Sequence, residues 1–263
     1  MQDDELLRMT EQLSVALTAH RGVLPSRPVP VTVSAMSYLF EPPASVSLPI
    51  AGRDERFPVH RIYCIGRNYL DHAREMGMTV NRAQPVFFLK PADALVSDGA
   101  DVPYPPATAD LHHEIEMVVA LAKGGRNIAA EHALDHVFGY GVGLDLTRRD
   151  LQAAAKQAGM PWDSAKAFDH SAPVSTLHPA ATIGHPADVE LKLEVNGAVR
   201  QRTDIDAMVF NVAETIHELS RLWTLAPGDL IFTGTPAGVA ALHRGDRFRA
   251  TLGTIARLEG RIV

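Results

Sequence analysis

A single cysteine, Cys64, stands in a chain of 263 residues. That excludes an internal disulfide and any multi-cysteine metal site, and it suits a reducing compartment. There is no run of about 18 apolar residues, so no membrane-spanning helix is expected. The N-terminus opens on acids rather than on a basic stretch followed by an apolar one, so no secretion signal is expected and the cytoplasm is the expected compartment. Basic residues are not in excess either. With 25 Lys and Arg against 31 Asp and Glu, the formal charge is −6, which argues against a nucleic-acid or anionic-membrane partner. The glycines of KGGRN, Lys123 to Asn127, lack a phosphate-loop pattern around them and read as a hairpin turn. No internal repeat is visible. Hydrophobic content of 46% and charged content of 21% are ordinary for a globular protein of one large domain or two small ones.

The most informative stretch is Leu111 to Leu121, LHHEIEMVVAL. Read as a strand, it sends Glu114 and Glu116 to one face and Ile115 and Met117 to the other. An apolar run follows at once, as in a strand entering a core, and an unpaired charge beside a core is costly. A cation between the two carboxylates answers that cost. With only oxygen ligands on offer, a hard ion such as Mg²⁺ or Mn²⁺ fits best. Alone, Glu-x-Glu on a strand is more often a solvated face. The segment Gly139 to Gln152, GYGVGLDLTRRDLQ, shifts that balance. It reads as a strand delivering a third carboxylate, Asp145, then a helix from near Thr147 in which Arg149 and Gln152 share a face. His112 and His113 read as structural, or as supports to the ligands, before they read as ligands, since oxygen ligands suffice for a hard ion.

In chain order, residues 4 to 20 carry Leu6, Met9, Leu13 and Leu17 on one helical stripe, and a proline-rich linker follows. Strand RIYCIG ends at Gly66. Asn68, with Asp71 three residues on, reads as a variant capping box for a short helix that Gly77 stops and in which His72 and Glu75 face the same side. Strand PVFFLK ends at Lys90. Val189 to Thr203 alternates around Asn196-Gly197, a hairpin assigned to the scaffold. Met208 to Trp223 reads as a core-facing helix, and Pro227-Gly228 turns into strand DLIFTG. The Gly234-Thr235-Pro236 loop after it offers backbone N–H groups and a hydroxyl to a substrate carboxylate. Two strands close the chain. Strands outnumber helices without alternating with them, so the class is α+β with a mixed, curled sheet.

From Tyr63 to Val263 the chain resembles the fumarylacetoacetate hydrolase family. The matching pieces are GRNYLDHAREMG at 66–77, FFLKPADALV at 87–96, DLHHEIEMVVAL at 110–121, GLDLTRRDLQ at 143–152, PWDSAKAFD at 161–169 and LAPGDLIFTGTPAGV at 225–239. Within the family it is most similar to the acylpyruvate hydrolases, and KPADALV is similar to the bacterial fumarylpyruvate hydrolases. The resemblance implies a β-rich roll of the family's C-terminal-domain type and a homodimer. Residues 1–35, which it does not cover, read as an extension to a catalytic domain of 36–263.

The resemblance also implies roles. His72 and Glu75 lie on a mobile lid and activate water. Lys166 faces the substrate and, with Arg149 and Gln152, meets a developing oxyanion. Arg67, Lys90, Gly234 and Thr235 contact a small keto acid, and Arg67, Arg74 and Arg82 are candidates for reading a distal carboxylate. The expected reaction is metal-dependent hydrolysis of a C–C bond in a 2,4-diketo acid, such as fumarylpyruvate to fumarate and pyruvate. Decarboxylation of oxaloacetate or isomerisation of a keto acid is the alternative within enzymology. A metal-stabilised binding or scaffold protein is the alternative outside it.

Overall fold

The structure, a computed structural model, describes residues 37–75, 77, 81–82, 84–97 and 99–263. The helix expected over residues 4–20 and the linker after it lie outside the described residues. Every element named below belongs to the compact unit Ala44–Val263. Its first strands are β1 (Ser47–Pro49), β2 (Arg56–Pro58), β3 (Ile62–Gly66), β4 (Val86–Lys90), β5 (Leu95–Val96), β6 (Leu111–His112), β7 (Ile115–Leu121), β8 (Val137–Leu144) and β9 (Thr147–Arg148). They are followed by β10 (Ala172–Pro173), β11 (His178–Pro179), β12 (Glu190–Val195), β13 (Ala198–Asp204), β14 (Leu230–Phe232), β15 (Ala241–Leu242), β16 (Arg247–Leu252) and β17 (Ala256–Arg261). The α-helices are short: α1 (Leu70–Glu75), α2 (Arg149–Ala158), α3 (Asp163–Lys166), α4 (Ala180–Ile183) and α5 (Val212–Leu222). No helix among the described residues is long and apolar enough to cross a membrane.

A six-stranded sheet in the order β11-β8-β7-β14-β3-β4 is the frame. β14 pairs parallel with β3 while the other pairings are antiparallel, so the sheet is mixed, as the α+β reading expects. β7 is buried along its whole length because both faces are covered. Ile115, Met117, Val119 and Leu121 enter one apolar cluster, and Val118 and Ala120 enter another. The first cluster also takes Leu191, Leu193 and Val195 of β12 and Phe248, Ala250 and Leu252 of β16. These strands belong to the four-stranded sheet β13-β12-β16-β17. Alternation in β12 sends every second side chain inward, and Asn196 and Gly197, at φ 52° and 79°, make the expected tight hairpin turn.

Register explains where a site can form. Ile115 lies opposite Leu144, and Phe232 lies opposite both Val118 and Cys64. The start of β7 and the ends of β8, β14 and β3 therefore meet at one edge of the sheet. β8 carries glycine at every second position. A Cβ at Gly143 would stand 2.9 Å from the Pro173 carbonyl, and one at Gly139 would stand 2.3 Å from the His178 carbonyl. The glycine stripe thus lets the segment Pro173 to His178 lie against the strand.

Several local expectations give way to tertiary contacts. LHHEIEMVVAL is not one strand: β6 pairs with β9 and β15 in a separate three-stranded sheet, and β7 starts only at Ile115. Helix α2 begins at Arg149 rather than near Thr147, because Thr147 and Arg148 pair with β6. The helix expected from Met208 begins at Val212, where Asn211 and Glu214 form a reciprocal capping box that satisfies the first turn. The turn at KGGRN leads into a 3₁₀ stretch, Ala130–His136, rather than closing a tight hairpin.

Asn68 is not the cap of α1. Its amide donates to the carbonyls of Phe210 and Thr233 at 2.9 and 2.8 Å, and its Oδ1 accepts from Phe210 N at 2.7 Å. All of these bonds are buried. Asn68→Ala orphans three backbone groups at once, and a loss of roughly 2–4 kcal/mol is expected in denaturant unfolding. A loss under about 0.5 kcal/mol, the range of ordinary surface substitutions, would refute that role.

Candidate active site

Glu114, Glu116 and Asp145 come together at the shared sheet edge. One carboxylate oxygen from each lies within 4.8 Å of the others, and all three residues are buried. Like charges so close require compensation, and three cations supply part of it. Lys166 Nζ donates to Glu114 Oε2 at 2.8 Å, to Asp145 Oδ2 at 2.5 Å and to Thr147 Oγ1 at 2.6 Å. Lys90 Nζ stands 2.8 Å from Asp145 Oδ1, and Arg149 Nη2 stands 2.5 Å from Glu114 Oε1. The expectation that a metal alone balances the triad is therefore corrected.

Glu116 is the exception. It makes no ion pair among the described residues, and its hydrogen bond comes from Gly234 N at 2.6 Å. Burial, then the neighbouring Asp145 and Glu114 carboxylates, push its pKa well above the ordinary value. Burial acts on Glu114 in the same sense, but Lys166 and Arg149 outweigh it and hold that carboxyl far below the usual range. Burial would lower Lys166, yet Asp145 and Glu114 keep its pKa raised. Asp145 Oδ1 is buried without an aligned hydrogen bond despite its nearness to Lys90. An all-oxygen set with one uncompensated carboxylate and one orphaned oxygen fits a hard divalent ion.

His72 lines the same cleft as the triad, together with Arg67, Arg149, Gln152, Lys156, Lys166 and Thr235. It is 7% exposed. Its Nδ1 lies 3.1 Å from Glu75 Oε2, and Glu75 is itself held by Gly238 N at 3.1 Å. With Nδ1 occupied, Nε2 is the ring nitrogen left for water or substrate. Arg149 Nη1 donates to Gln152 Oε1 at 2.6 Å, which leaves Gln152 Nε2 as a donor that no described residue takes up, in the cleft that both residues line. His113, its pKa lowered by burial, bonds Gln201 Oε1 at 2.8 Å, and His112 bonds Asp110 at 2.9 Å. Neither histidine joins the triad, in keeping with the structural reading.

Other expected contacts are placed differently. Lys90 is buried and surrounded by Asp145 Oδ1 and the carbonyls of Leu146 and Lys166. Two of its N–H groups are spent on those carbonyls and its charge on Asp145, and it does not line the cleft, so the expected substrate contact is not found. The N–H of Gly234 is spent on Glu116 rather than free for a ligand. That position requires glycine: φ is +92°, and a Cβ would lie 2.6 Å from Asn68 Cβ. Lys166, at the end of helix α3, does line the cleft. Arg74 and Arg82 pair with Asp71 and Glu214 at the exposed surface, and neither lines the cleft.

Sequence reasoning missed Gln201, Thr147 and Lys156. Gln201 joins His113 and Ile115 N to Thr235 Oγ1 across the sheet edge, and nothing in its polar strand singles it out. Lys156 did leave a signal, since it falls on the α2 face of Arg149 and Gln152. Burial, then Arg149, hold its pKa down at about 8. Charge on Lys156 is thus disfavoured in the folded chain. It costs stability below about pH 8, and the cost fades as pH rises from there toward the ordinary value of 10.5. Lys156→Met should therefore melt higher than wild type near neutral pH, by a small margin because the group is half-buried and screened. A margin that fails to narrow in melts above pH 8 would contradict this.

Fold and site define an α+β enzyme with a carboxylate triad that can hold a divalent cation. The chain belongs to the fumarylacetoacetate hydrolase family, and residues 61–263 match the family's fumarylacetoacetate (FAA) hydrolase C-terminal domain. A fumarylpyruvate hydrolase from Pseudomonas aeruginosa, solved in complex with Mn²⁺ and pyruvate, is 50% identical, with a TM-score of 0.84 over 86% of this chain and 99% of that one. The mitochondrial oxaloacetate tautomerase of Homo sapiens is 42% identical over 189 residues, 72% of this chain and 85% of its own. An oxaloacetate tautomerase of Escherichia coli is 41% identical over 196 residues, 74% of this chain and 89% of its own.

Proposed function

We propose that the chain hydrolyses a C–C bond of a 2,4-diketo acid, with fumarylpyruvate as the favoured substrate and fumarate and pyruvate as products. The observation that carries this reading is His72, held by Glu75 in the same cleft as the triad. Hydrolysis needs a base for water, and a buried imidazole with one nitrogen tethered is suited to that task. Glu114, Glu116 and Asp145 would hold Mg²⁺ or Mn²⁺. When bound, such an ion supplies Lewis-acid and template chemistry for an oxo acid.

His72 Nε2 takes the proton of the water that attacks the C4 carbonyl, and Glu75 orients the ring and stabilises its positive charge. Gln152 Nε2 is the free donor for the developing oxyanion, with the Arg149 and Lys166 cations beside it. The Thr235 hydroxyl lies in reach of the pyruvoyl end. Cleavage between C3 and C4 returns the proton from His72 to the products. The 50% identity to a fumarylpyruvate hydrolase supports the choice of substrate.

Keto–enol tautomerisation of oxaloacetate is the second reading, favoured by the tautomerase relatives. It uses a proton carrier but no attacking water. The hydrolase reading takes residues 1–35 as an extension, 36–263 as the catalytic unit, and the active form as a cytoplasmic homodimer. A product assay with fumarylpyruvate, acetylpyruvate and the enol form of oxaloacetate tests it. Release of pyruvate from the first two supports hydrolysis. Turnover of the oxaloacetate enol alone would overturn it.

A further inference from the structure

The charged groups lining the cleft are not all spent. Arg149 and Lys166 pair with the triad. Arg67 and Lys156 also line it, and neither makes an ion pair with any described residue. Arg67 carries a buried Nε without a hydrogen-bond partner and stands at φ 61°, a conformation uncommon for a side chain of its size. The Lys156 ammonium is in contact with protein through the Trp162 ring, 5.2 Å from its centroid. Two half-buried cations that line one cleft and have no acid paired with them among the described residues make a site of surplus positive charge.

Their placement gives the surplus a direction. Arg149, Gln152 and Lys156 lie along one face of α2, so the cleft wall extends roughly 10 Å from the triad's arginine to Lys156 at 1.5 Å per residue. A diketo acid with a fumaryl tail is about 7 Å long between its carboxylates at roughly 1.2 Å per extended bond. Beyond Arg67 the cleft adjoins a hollow of ≈ 370 Å³ walled by Gly66, Val86, Phe87 and Phe210, which offers room for an acyl group. A second hollow of ≈ 360 Å³ borders Trp162 and Lys166. A larger one, ≈ 510 Å³, lies among the closing strands, where Arg249 and Arg261 are already paired with Glu259 and Asp101.

We propose that Lys156 and Arg67 form the subsite for a second carboxylate, so that the enzyme selects acylpyruvates whose acyl group ends in an acid. This rests on the hydrolase reading for the reaction, but the subsite itself is a property of the two cations. Burial strengthens it, because a carboxylate placed between them meets little competing water.

Two measurements test the proposal. In the first, kcat/KM is measured for fumarylpyruvate and for acetylpyruvate, which lacks the distal acid. Lys156→Met and Arg67→Gln should each lower the ratio of the two constants roughly 10- to 100-fold, and Lys156→Arg should restore most of it. Equal losses on both substrates would show that the cations serve the pyruvoyl end, and the proposal would fall. In the second, calorimetry compares fumarate with crotonate, which has the same carbon skeleton and one carboxylate fewer. Wild type should prefer fumarate, and Lys156→Met should erase the preference. If wild type cleaves neither diketo acid yet prefers fumarate through Lys156, the hydrolase reading fails and the subsite stands. Absence of any fumarate preference in wild type would overturn the subsite whatever the activity.

Discussion

Chelation of divalent ions is expected to abolish turnover, and Mn²⁺ or Mg²⁺ is expected to restore it. The reason lies in Glu116. Its two neighbours in the triad are paired with lysine or arginine, whereas Glu116 has a single backbone N–H and a pKa driven up by burial and by those neighbours. Lys166 and the Gly234 N–H offset only part of that repulsion, and a divalent ion would relieve the rest. Glu116→Gln sharpens the test. The amide can still accept the Gly234 N–H while the like charge disappears, so the metal-free protein should melt no lower than wild type. Mn²⁺ affinity should fall by at least about 10²-fold, more than the loss typical for partners of a ligand. Unimpaired activity after exhaustive chelation would refute the metal requirement. A collapse of the metal-free variant would show instead that Glu116 is a folding residue.

The second large effect is expected at His72. His72→Ala should lower acylpyruvate cleavage by roughly 10²- to 10⁴-fold, the range for loss of a general base, while metal-dependent decarboxylation of oxaloacetate survives. Decarboxylation needs an electron sink but no base for water. Substrate binding should change little, since the triad, Arg149 and Gln152 are untouched. Glu75→Gln should give a milder loss, because an amide can position the ring but cannot stabilise an imidazolium. Steady-state rates at saturating Mg²⁺ on both substrates decide the matter. Parallel losses on the two would assign His72 to binding or lid closure and remove it as the base.

Much of the candidate site was legible because its members are close in sequence. Glu114 and Glu116 are two apart, His72 and Glu75 three apart, and Arg149 and Gln152 three apart. In the structure each pair shares the cleft or a direct bond. The break between β6 and β7 did not spoil the first pair, since the triad oxygens still converge within 4.8 Å. Strand and helix starts were less legible. Asn68 looked like a cap because Asp71 follows at the right interval, yet a distant backbone at Phe210 claims its side chain.

By itself the sequence determined the hairpin at Asn196-Gly197, the alternating burial of β12, the entry of β7's apolar run into a core and the spacing that puts acids, histidine and donors in registered pairs. These follow from backbone sterics and from periods of two or about 3.6 residues, which act over a few positions. Only the tertiary structure decided where the counter-charges went. Lys166 reaches Glu114 across 52 residues and Asp145 across 21, and Asn68 bonds Thr233 across 165. Lys90 became a buried partner of Asp145, and among the described residues Lys156 was left without one. A buried charge takes whatever opposite charge the packed chain brings to it, and that depends on which strand ends share an edge, not on local spacing.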